Sequence, residues 1–445
     1  MTREHLIKPL LSAHYPKIDY GKGVFLYDEH GKAYLDASSG AVTAGIGHGV
    51  QEVIDAMLAQ AQKVSFVYRS QFTSEPAERL AKRLSDLAPG HDYWSFFVNS
   101  GSEATETAMK IAIQYWQEQG RLGKNKVISR RMSYHGITLG ALSMSGHVAR
   151  RRRFIPLLEE LPIVAAPYCY RCPYHLSAAS CGLSCADDLE TNIKRIGADH
   201  IAAFIAEPII GAAGGAVVPP AGYYERIKAI CEQYDILFIA DEVMTGIART
   251  GAMFGIEHWG VEPDLIALGK GLSAGYTPIA ATLVKDRVME PILAGSQIVM
   301  SGHTFSANPQ SAATALAVLD YIAAGQLVDA AEEKGRYLRL MLERIAANCA
   351  IIGDVRGKGL LLGLEFVADR SSKRVFPVSL GVTTRIVERA QSKGLLIYPA
   401  AGGVDGEGDA VIIAPPLVIT TEEIDLLASL LEESIVEVMG EVMGG

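Results

Sequence analysis

The chain has 445 residues, 49% of them hydrophobic, enough for a large core shared by two or three lobes. Its 41 basic and 50 acidic side chains give a formal charge of −9, which argues against nucleic acid as a main partner. The N-terminus has no long apolar run, and no stretch approaches the ~18 uninterrupted apolar residues of a membrane helix. The expectation is therefore a soluble, cytoplasmic protein with no membrane partner.

Residues 24–27 and 33–36 read as a β-hairpin turning at His30-Gly31, followed by a glycine-rich passage from Gly40 to Gly49. Helical patterns cover 51–62 and 74–87, the second opened by Ser74-Glu75-Pro76. From about 93 to 284 strands and helices alternate. Strands are expected at 94–98, 127–129, 201–206, 236–240, 264–268 and 279–284, with helices at 102–119 and 222–234. The strand runs are almost continuously apolar, as a mostly parallel sheet covered on both faces requires. From about 309 the pattern changes to helices at 309–324 and 327–347 and strands at 351–355 and 360–366. A helix at 382–393, a strand pair at 395–398 and 410–413, and a last helix from Thr420 follow. Residues 399–409 read as a mobile glycine-rich loop. The implied organisation is an N-terminal segment 1–50 that joins the small domain, a large α/β domain 51–308 and an α+β small domain 309–445.

Two clusters stand apart from this pattern. The run Arg150-Arg151-Arg152-Arg153 reads as a solvated or subunit-contact face rather than a polyanion site. Cys169, Cys172, Cys181 and Cys185 have C-x2-C-x8-C-x3-C spacing. That spacing would suit structural zinc, but the linker is short for a zinc ribbon, so reduced or loosely paired thiols in a surface loop are favoured and no metal is expected.

The chemistry-bearing residues fall just beyond the carboxyl ends of predicted strands, where ligands of open α/β sheets bind. Asn99-Ser100-Gly101-Ser102-Glu103 opens a helix with an S-x-x-E capping box. The free N–H groups of its first turn, the close backbone approach allowed by Gly101 and the Ser102 hydroxyl make a phosphate site. Ser133-Tyr134-His135-Gly136 places Tyr134 where it can stack on a flat ring. Glu207 follows a buried strand and precedes a glycine-rich loop. In Ile236–Val243 five apolar residues run into Asp241 and Glu242. A buried Asp241 needs a partner, either a protonated pyridine nitrogen or a salt bridge to Arg249. Val243 would pack on a ring face. Lys270 sits between Gly269 and Gly271 just after a buried strand, where burial favours the free amine and hence a Schiff base. Thr304 offers a hydroxyl in Gly302-His303-Thr304-Phe305-Ser306. A phosphate cradle, a carboxylate for a ring nitrogen, a stacking aromatic and a strand-end lysine together describe pyridoxal 5′-phosphate.

With these motifs the chain resembles the class III aminotransferases, the ornithine/ω-amino-acid branch of fold type I pyridoxal-phosphate enzymes, from about residue 20 to 436. The likeness rests on NSGSEATETAMKIA, SYHG, AEPIIGAAGG, FIADEVMTGIARTG, ALGKGLSAGYTPIAA, GHTFSANP, VRGKGLLLGLEF and IIAPPLVIT, in that order. The resemblance implies Lys270 as Schiff-base (internal aldimine) lysine and proton shuttle, Asp241 on the ring nitrogen and Gly101 and Ser102 on the phosphate. It implies Tyr134 and Val243 on the two ring faces and Glu207 in the active site. Thr304 would reach the phosphate of the neighbouring subunit in a homodimer. The implied activity moves an amino group from an amine donor to a 2-oxo acid such as pyruvate; a phospho-lyase or an amino-acid racemase on the same scaffold is the alternative.

One departure bears on the donor. Members that handle α-amino acids often carry an arginine just before the Ala-Pro-Pro motif, where this chain has Ile412, and no arginine follows Arg389. Tyr398-Pro399-Ala400, where some amine:pyruvate relatives place a mobile arginine, has none either. A carboxylate would then be met by Arg356, Arg69 or a backbone site. An ω-amino acid, a diamine or a simple amine is the expected donor.

Overall fold

The computed structural model describes residues 5–443 apart from 178, 402, 404 and 405. Fifteen strands are described, in three sheets. The first three are β1 (Ile18–Lys22), β2 (Phe25–Asp28) and β3 (Ala33–Asp36). The large sheet is built from β4 (Tyr93–Val98), β5 (Lys126–Arg130), β6 (Ile163–Val164), β7 (Ile201–Ala206), β8 (Leu237–Asp241), β9 (Leu265–Leu268) and β10 (Ala280–Lys285). The remaining strands are β11 (Ile352–Lys358), β12 (Leu361–Phe366), β13 (Leu395–Leu396), β14 (Tyr398–Ala401) and β15 (Asp409–Ile413).

The order across the large sheet is β4-β10-β9-β8-β7-β5-β6. Only β10 runs against the rest, antiparallel to both β4 and β9. This is a fold type I pyridoxal-phosphate transferase architecture, α/β with a mostly parallel sheet. Every residue of β7, β8 and β9 is buried, because helices cover both faces of the sheet. The helix Gly101–Glu118 lies against it through Ala104, Thr105, Ala108, Ile111, Ala112 and Tyr115, a stripe at the three-and-four spacing of a helix face. The alanines let the helix axis come close to the strands.

β11-β12-β15-β14 form an antiparallel sheet, and β1-β2-β3-β13 a smaller one. In the latter, β13 pairs in parallel with β3, so residues 395–396 hold the N-terminal hairpin. The expected single strand at 395–398 is thus two strands serving two sheets, parted at Ile397. Residues 399–401, expected in a loop, continue β14 along β15. The rest of that expected loop includes 402, 404 and 405, which lie outside the described residues. β1, the short strand β6 and the helix Ser184–Ile196 were not foreseen. The last helix, Thr421–Met443, starts at a capping box in which Thr420 and Glu423 exchange side-chain-to-backbone bonds of 2.8 and 3.2 Å. No single helix among the described residues is long and apolar enough to cross a membrane.

Arg249 is not the partner of Asp241. Its guanidinium is 3% exposed and donates to the carbonyls of Leu360 (3.1 Å) and Pro415 (2.6 Å) and to Ser39 Oγ (3.3 Å). Burial pushes its pKa down to about 10, with Asp36 acting the other way. The side chain therefore ties the loop after β8 to the chain on either side of the antiparallel sheet and to the N-terminal segment. Arg249→Ala strands the two buried carbonyls of Leu360 and Pro415, each costing about 1–3 kcal/mol, while Ser39 Oγ keeps its bond to the Ala414 carbonyl. A thermal midpoint several degrees lower is expected by calorimetry; an unchanged midpoint would contradict the bracing role.

Candidate active site

β9, β8, β7 and β5 are consecutive in the sheet, and each delivers one residue or pair past its carboxyl end. These are Lys270, Asp241, Glu207, and Tyr134 with His135. β4 adds the start of the helix Gly101–Glu118 from beyond β10. The helix start and the Lys270 turn meet: a Cβ at Gly269 would lie 3.6 Å from Gly101 Cα.

Asp241 is 3% exposed. Its Oδ2 lies 2.7 Å from His135 Nδ1, and its Oδ1 accepts the Val243 N–H at 3.1 Å. The second bond closes an Asx turn, so Val243 reaches the site from a turn rather than along the strand. His135 is the residue that sequence reasoning missed. Its backbone is fixed by bonds from its N–H to Ser145 Oγ (2.8 Å) and from Thr105 Oγ1 to its carbonyl (2.7 Å). Its Nε2 is buried without a partner among the described residues. The signal was its place in SYHG beside Tyr134.

Glu207, 5% exposed, accepts N–H bonds from Tyr134 and Gly211, both at 2.7 Å. Burial raises its pKa; His135 opposes that, nearby Asp241 adds to it, and the two N–H donors hold it down. The neighbouring Glu242 is structural. Buried at 1% exposure, it accepts from the Gly255 (2.9 Å) and Ile256 (2.8 Å) N–H groups and from Thr245, and burial pushes its pKa up to about 7.

At the helix start, Ser100 Oγ accepts from the Glu103 N–H (3.2 Å), the expected N-cap bond, while Glu103 reaches back to the Asn99 N–H (2.7 Å) rather than to the Ser100 N–H that the expected capping box would use. The Gly101 and Ser102 N–H groups, with no helical turn before them, are left to a ligand. Ser102 Oγ accepts from the Ile137 N–H at 3.0 Å, which leaves its own proton to donate. A Cβ at Gly101 would sit 2.7 Å from Val243 Cγ1, and one at Gly136, where φ is +138°, would sit 2.5 Å from Ser102 Oγ. Only glycine keeps this cradle open, and a phosphate on the helix start with a planar ring beside Asp241 suits it. The donor set therefore fits pyridoxal phosphate.

Lys270 adopts φ +39°, a strained value for a residue with a side chain, in the short 3-10 turn Lys270–Leu272. Burial pushes its pKa down to about 8, against the opposing carboxylates of Asp241 and Glu207; Arg150 and Arg249 push the same way as burial. Tyr134 is partly buried, with the Arg150 guanidinium 4.2 Å from its ring centroid. Thr304 stands apart: it is exposed and makes no hydrogen bond to a described residue. Its neighbour His303 lies 3.7 Å from Glu103 in the first helical turn.

Neither arginine expected for a carboxylate is free. Arg356 is 8% exposed and bound to Glu365, to Asp354 (2.9 Å) and to the Gly215 carbonyl (2.8 Å). Arg69 donates to the Ser301 carbonyl and packs 4.9 Å over the Phe96 ring, on the exposed surface. The four clustered cysteines are unbridged thiols lining one small cavity with Tyr168 and Tyr174. No three His, Cys, Asp or Glu side chains among the described residues are placed to hold a metal ion. A cleft of about 1060 Å³ opens beside that segment, lined by Arg131, Arg171 and Lys373, and shares no residue with the strand-end set.

A seven-stranded sheet with this constellation at its carboxyl edge is the frame of a pyridoxal-phosphate transferase. The family model of class-III aminotransferases matches residues 12–435, and the chain belongs to that family. It is 55% identical over 435 residues to the uncharacterized aminotransferase YodT of Bacillus subtilis, covering 98% of each chain. It is similar to a thermostable (S)-enantioselective omega-transaminase from Thermomicrobium roseum, with TM-score 0.91, 36% identity and 98% and 96% coverage. A further likeness is to an amine transaminase from an uncultivated Pseudomonas species in its PLP-bound internal aldimine form, with TM-score 0.92, 34% identity and 98% and 99% coverage. Class III aminotransferases use pyridoxal phosphate.

Burial has a direct consequence for Lys270 in the cofactor-free protein. With a pKa of about 8, roughly a fifth of its amine is unprotonated at pH 7.4, against about a thousandth for an ordinary lysine. Its labelling by an amine-directed reagent, followed by peptide mass spectrometry, should rise with pH through a midpoint near 8 and level off about one to two pH units above it. A midpoint above 10 would contradict the burial argument.

Proposed function

We propose that the protein is a pyridoxal-phosphate-dependent aminotransferase that moves the amino group of an ω-amino acid, a diamine or a simple amine to a 2-oxo acid such as pyruvate. The observation that carries this reading is the convergence of Lys270, the Asp241–His135 pair and the Gly101–Ser102 helix start at one edge of the sheet. When bound, the cofactor supplies an electron-withdrawing ring conjugated to the donor nitrogen.

The protein does the rest. Lys270 Nζ is the covalent anchor; freed by the donor, it takes the proton from the donor carbon and returns it one step further on. Asp241, shared between His135 and the ring nitrogen, keeps that nitrogen protonated. Gly101 and Ser102 bind the phosphate, Tyr134 and Val243 bracket the ring, and Glu207 fixes the Tyr134 and Gly211 backbone around it. In this reading residues 51–308 form the cofactor domain, and 309–445 with 1–50 the small one.

The working form is a cytoplasmic homodimer in which Thr304 serves the partner's phosphate. Support comes from the apolar side chains around Thr304: Met300 is 80% exposed, Phe305 61% and Phe72 64%, and Phe66 packs edge-on to Phe305 at 5.9 Å. A single chain leaves this patch to water.

A panel of amine donors against pyruvate and 2-oxoglutarate tests the activity; turnover that needs no 2-oxo acid would point to a lyase or racemase instead. Lys270→Ala should abolish turnover with the fold intact, and activity within tenfold of wild type would refute the assignment. Asp241→Asn should retain the cofactor yet slow the stopped-flow donor half-reaction by about a thousandfold, since an amide cannot hold the ring nitrogen protonated. Thr304→Ala should weaken cofactor binding by roughly 1–2 kcal/mol, measured as cofactor loss on dilution. An active monomer in sedimentation would end the shared-site reading.

A further inference from the structure

The arginines near the strand-end set differ in what they hold. Arg130 is fully buried and donates to the Glu207 carbonyl at 2.6 Å and to the Tyr224 hydroxyl at 3.0 Å. Arg249 and Arg356 are fully engaged with oxygens of the fold. Arg150 is not. It belongs to the short helix Val148–Arg151, is partly buried, and makes no ion pair with any described residue. Its one side-chain hydrogen bond among the described residues is a long 3.5 Å contact from Nη2 to the Tyr398 hydroxyl.

Its posture is that of a receptor for a planar anion. One face of the guanidinium lies over the Tyr134 ring. Stacking of this kind uses the face and leaves the in-plane N–H groups free, the geometry a carboxylate accepts in bidentate fashion. The unbalanced charge is felt around it: Arg150 lowers the pKa of Lys270, and it adds to the burial that brings His147 down to about 4. Lys270 follows β9, whereas Arg150 stacks on Tyr134, which follows β5, three strands away in the sheet. A donor touching both must carry its amine and its carboxylate several bonds apart. Through Tyr398, moreover, Arg150 reaches the stretch of β14 that has no arginine of its own.

We propose that Arg150 binds the carboxylate of the amine donor through its open fork above Tyr134, so that the donors are straight-chain ω-amino acids in preference to diamines or simple amines. This deepens the aminotransferase reading above and rests on it. Arg150, beside Tyr398, the register partner of Ile412 in β14 and β15, supplies the cation missing at Ile412.

The test uses the holoenzyme, Arg150→Met and Arg150→Lys. Single-turnover half-reactions are run with 5-aminopentanoate, n-pentylamine and 1,5-diaminopentane. Wild type should prefer the acid. In Arg150→Met the kcat/KM ratio of acid to pentylamine should fall at least 30-fold, mostly through KM, and Arg150→Lys should restore part of it. Calorimetric binding of pentanoate, which has no amine to react, should weaken at least tenfold in Arg150→Met. A ratio that stays within threefold, equal losses for acid and amine, or unchanged pentanoate binding would overturn the assignment and leave Arg150 as a support for Tyr134. A wild type that favours pentylamine or the diamine would overturn it too. Absence of amino transfer from any donor to any 2-oxo acid would instead defeat the aminotransferase reading itself.

Discussion

The contact between Asp241 and His135 is the interaction on which the site depends. A carboxylate at the end of five buried residues cannot remain ionised without compensation. His135 Nδ1 and the Val243 N–H provide it at 2.7 and 3.1 Å. The His135 backbone in turn is held by the Ser145 and Thr105 hydroxyls, from two separate segments of the chain. Glu207, one strand over, is met by fixed backbone dipoles instead. Two buried carboxylates side by side thus face one lysine whose ammonium burial disfavours. Neither carboxylate cancels the desolvation of Lys270 completely, which leaves its amine poised near neutrality rather than locked in an ion pair.

The parallel sheet makes this affordable in structural terms. Consecutive parallel strands end at one level, so Lys270, Asp241, Glu207 and Tyr134 arrive in register without long loops. The surrounding lobes are held by buried guanidinium groups. Arg356 and Arg171 share the fully buried Glu365 with the Tyr168 hydroxyl, and Arg249 spans Leu360, Pro415 and Ser39. Such networks gain little net stability once desolvation is counted. Their effect is positional: every donor and acceptor is fixed, so the chain around β12 and β15 packs against the cofactor edge in one way.

Much of this was legible in the linear chain because it depends on local pattern. An apolar run ending in Asp241, or in a lysine between glycines, announces a strand end with a polar load. The N-cap bond between Ser100 and Glu103 is likewise local. Contacts between distant segments were not legible. Asp241 and His135 are 106 residues apart, and only the fold shows that the histidine, not Arg249, meets the carboxylate. Residues 395–398 read as one strand because apolar periodicity cannot show that Ile397 divides them between two sheets, and 399–401 read as loop because of the glycine-rich stretch that follows. The strand Ile163–Val164 is too short to have a period at all, and the helix from Ser184 begins inside the cysteine-rich stretch, whose composition suggested a loop. Thr304 is a third kind of case: it is exposed and hydrogen-bonds to no described residue, so the role proposed for its hydroxyl needs a second chain.

The division between fixed and variable parts follows from the same physics. Residues at strand ends are buried, mutually bonded and confined by the cradle at Gly101 and Gly136, so a substitution there disturbs several partners together. Arg150 and Tyr398 instead belong to a short connecting piece, Val148–Arg151, and to the edge strand β14, where partners are few. A guanidinium in such a piece can be gained or lost without disturbing the sheet. This accounts for solved transaminases at 34–36% identity superposing with TM-scores of 0.91–0.92. The backbone and the electrostatics of the strand-end set are constrained as one unit, while a cation on such a connecting piece is under no such constraint.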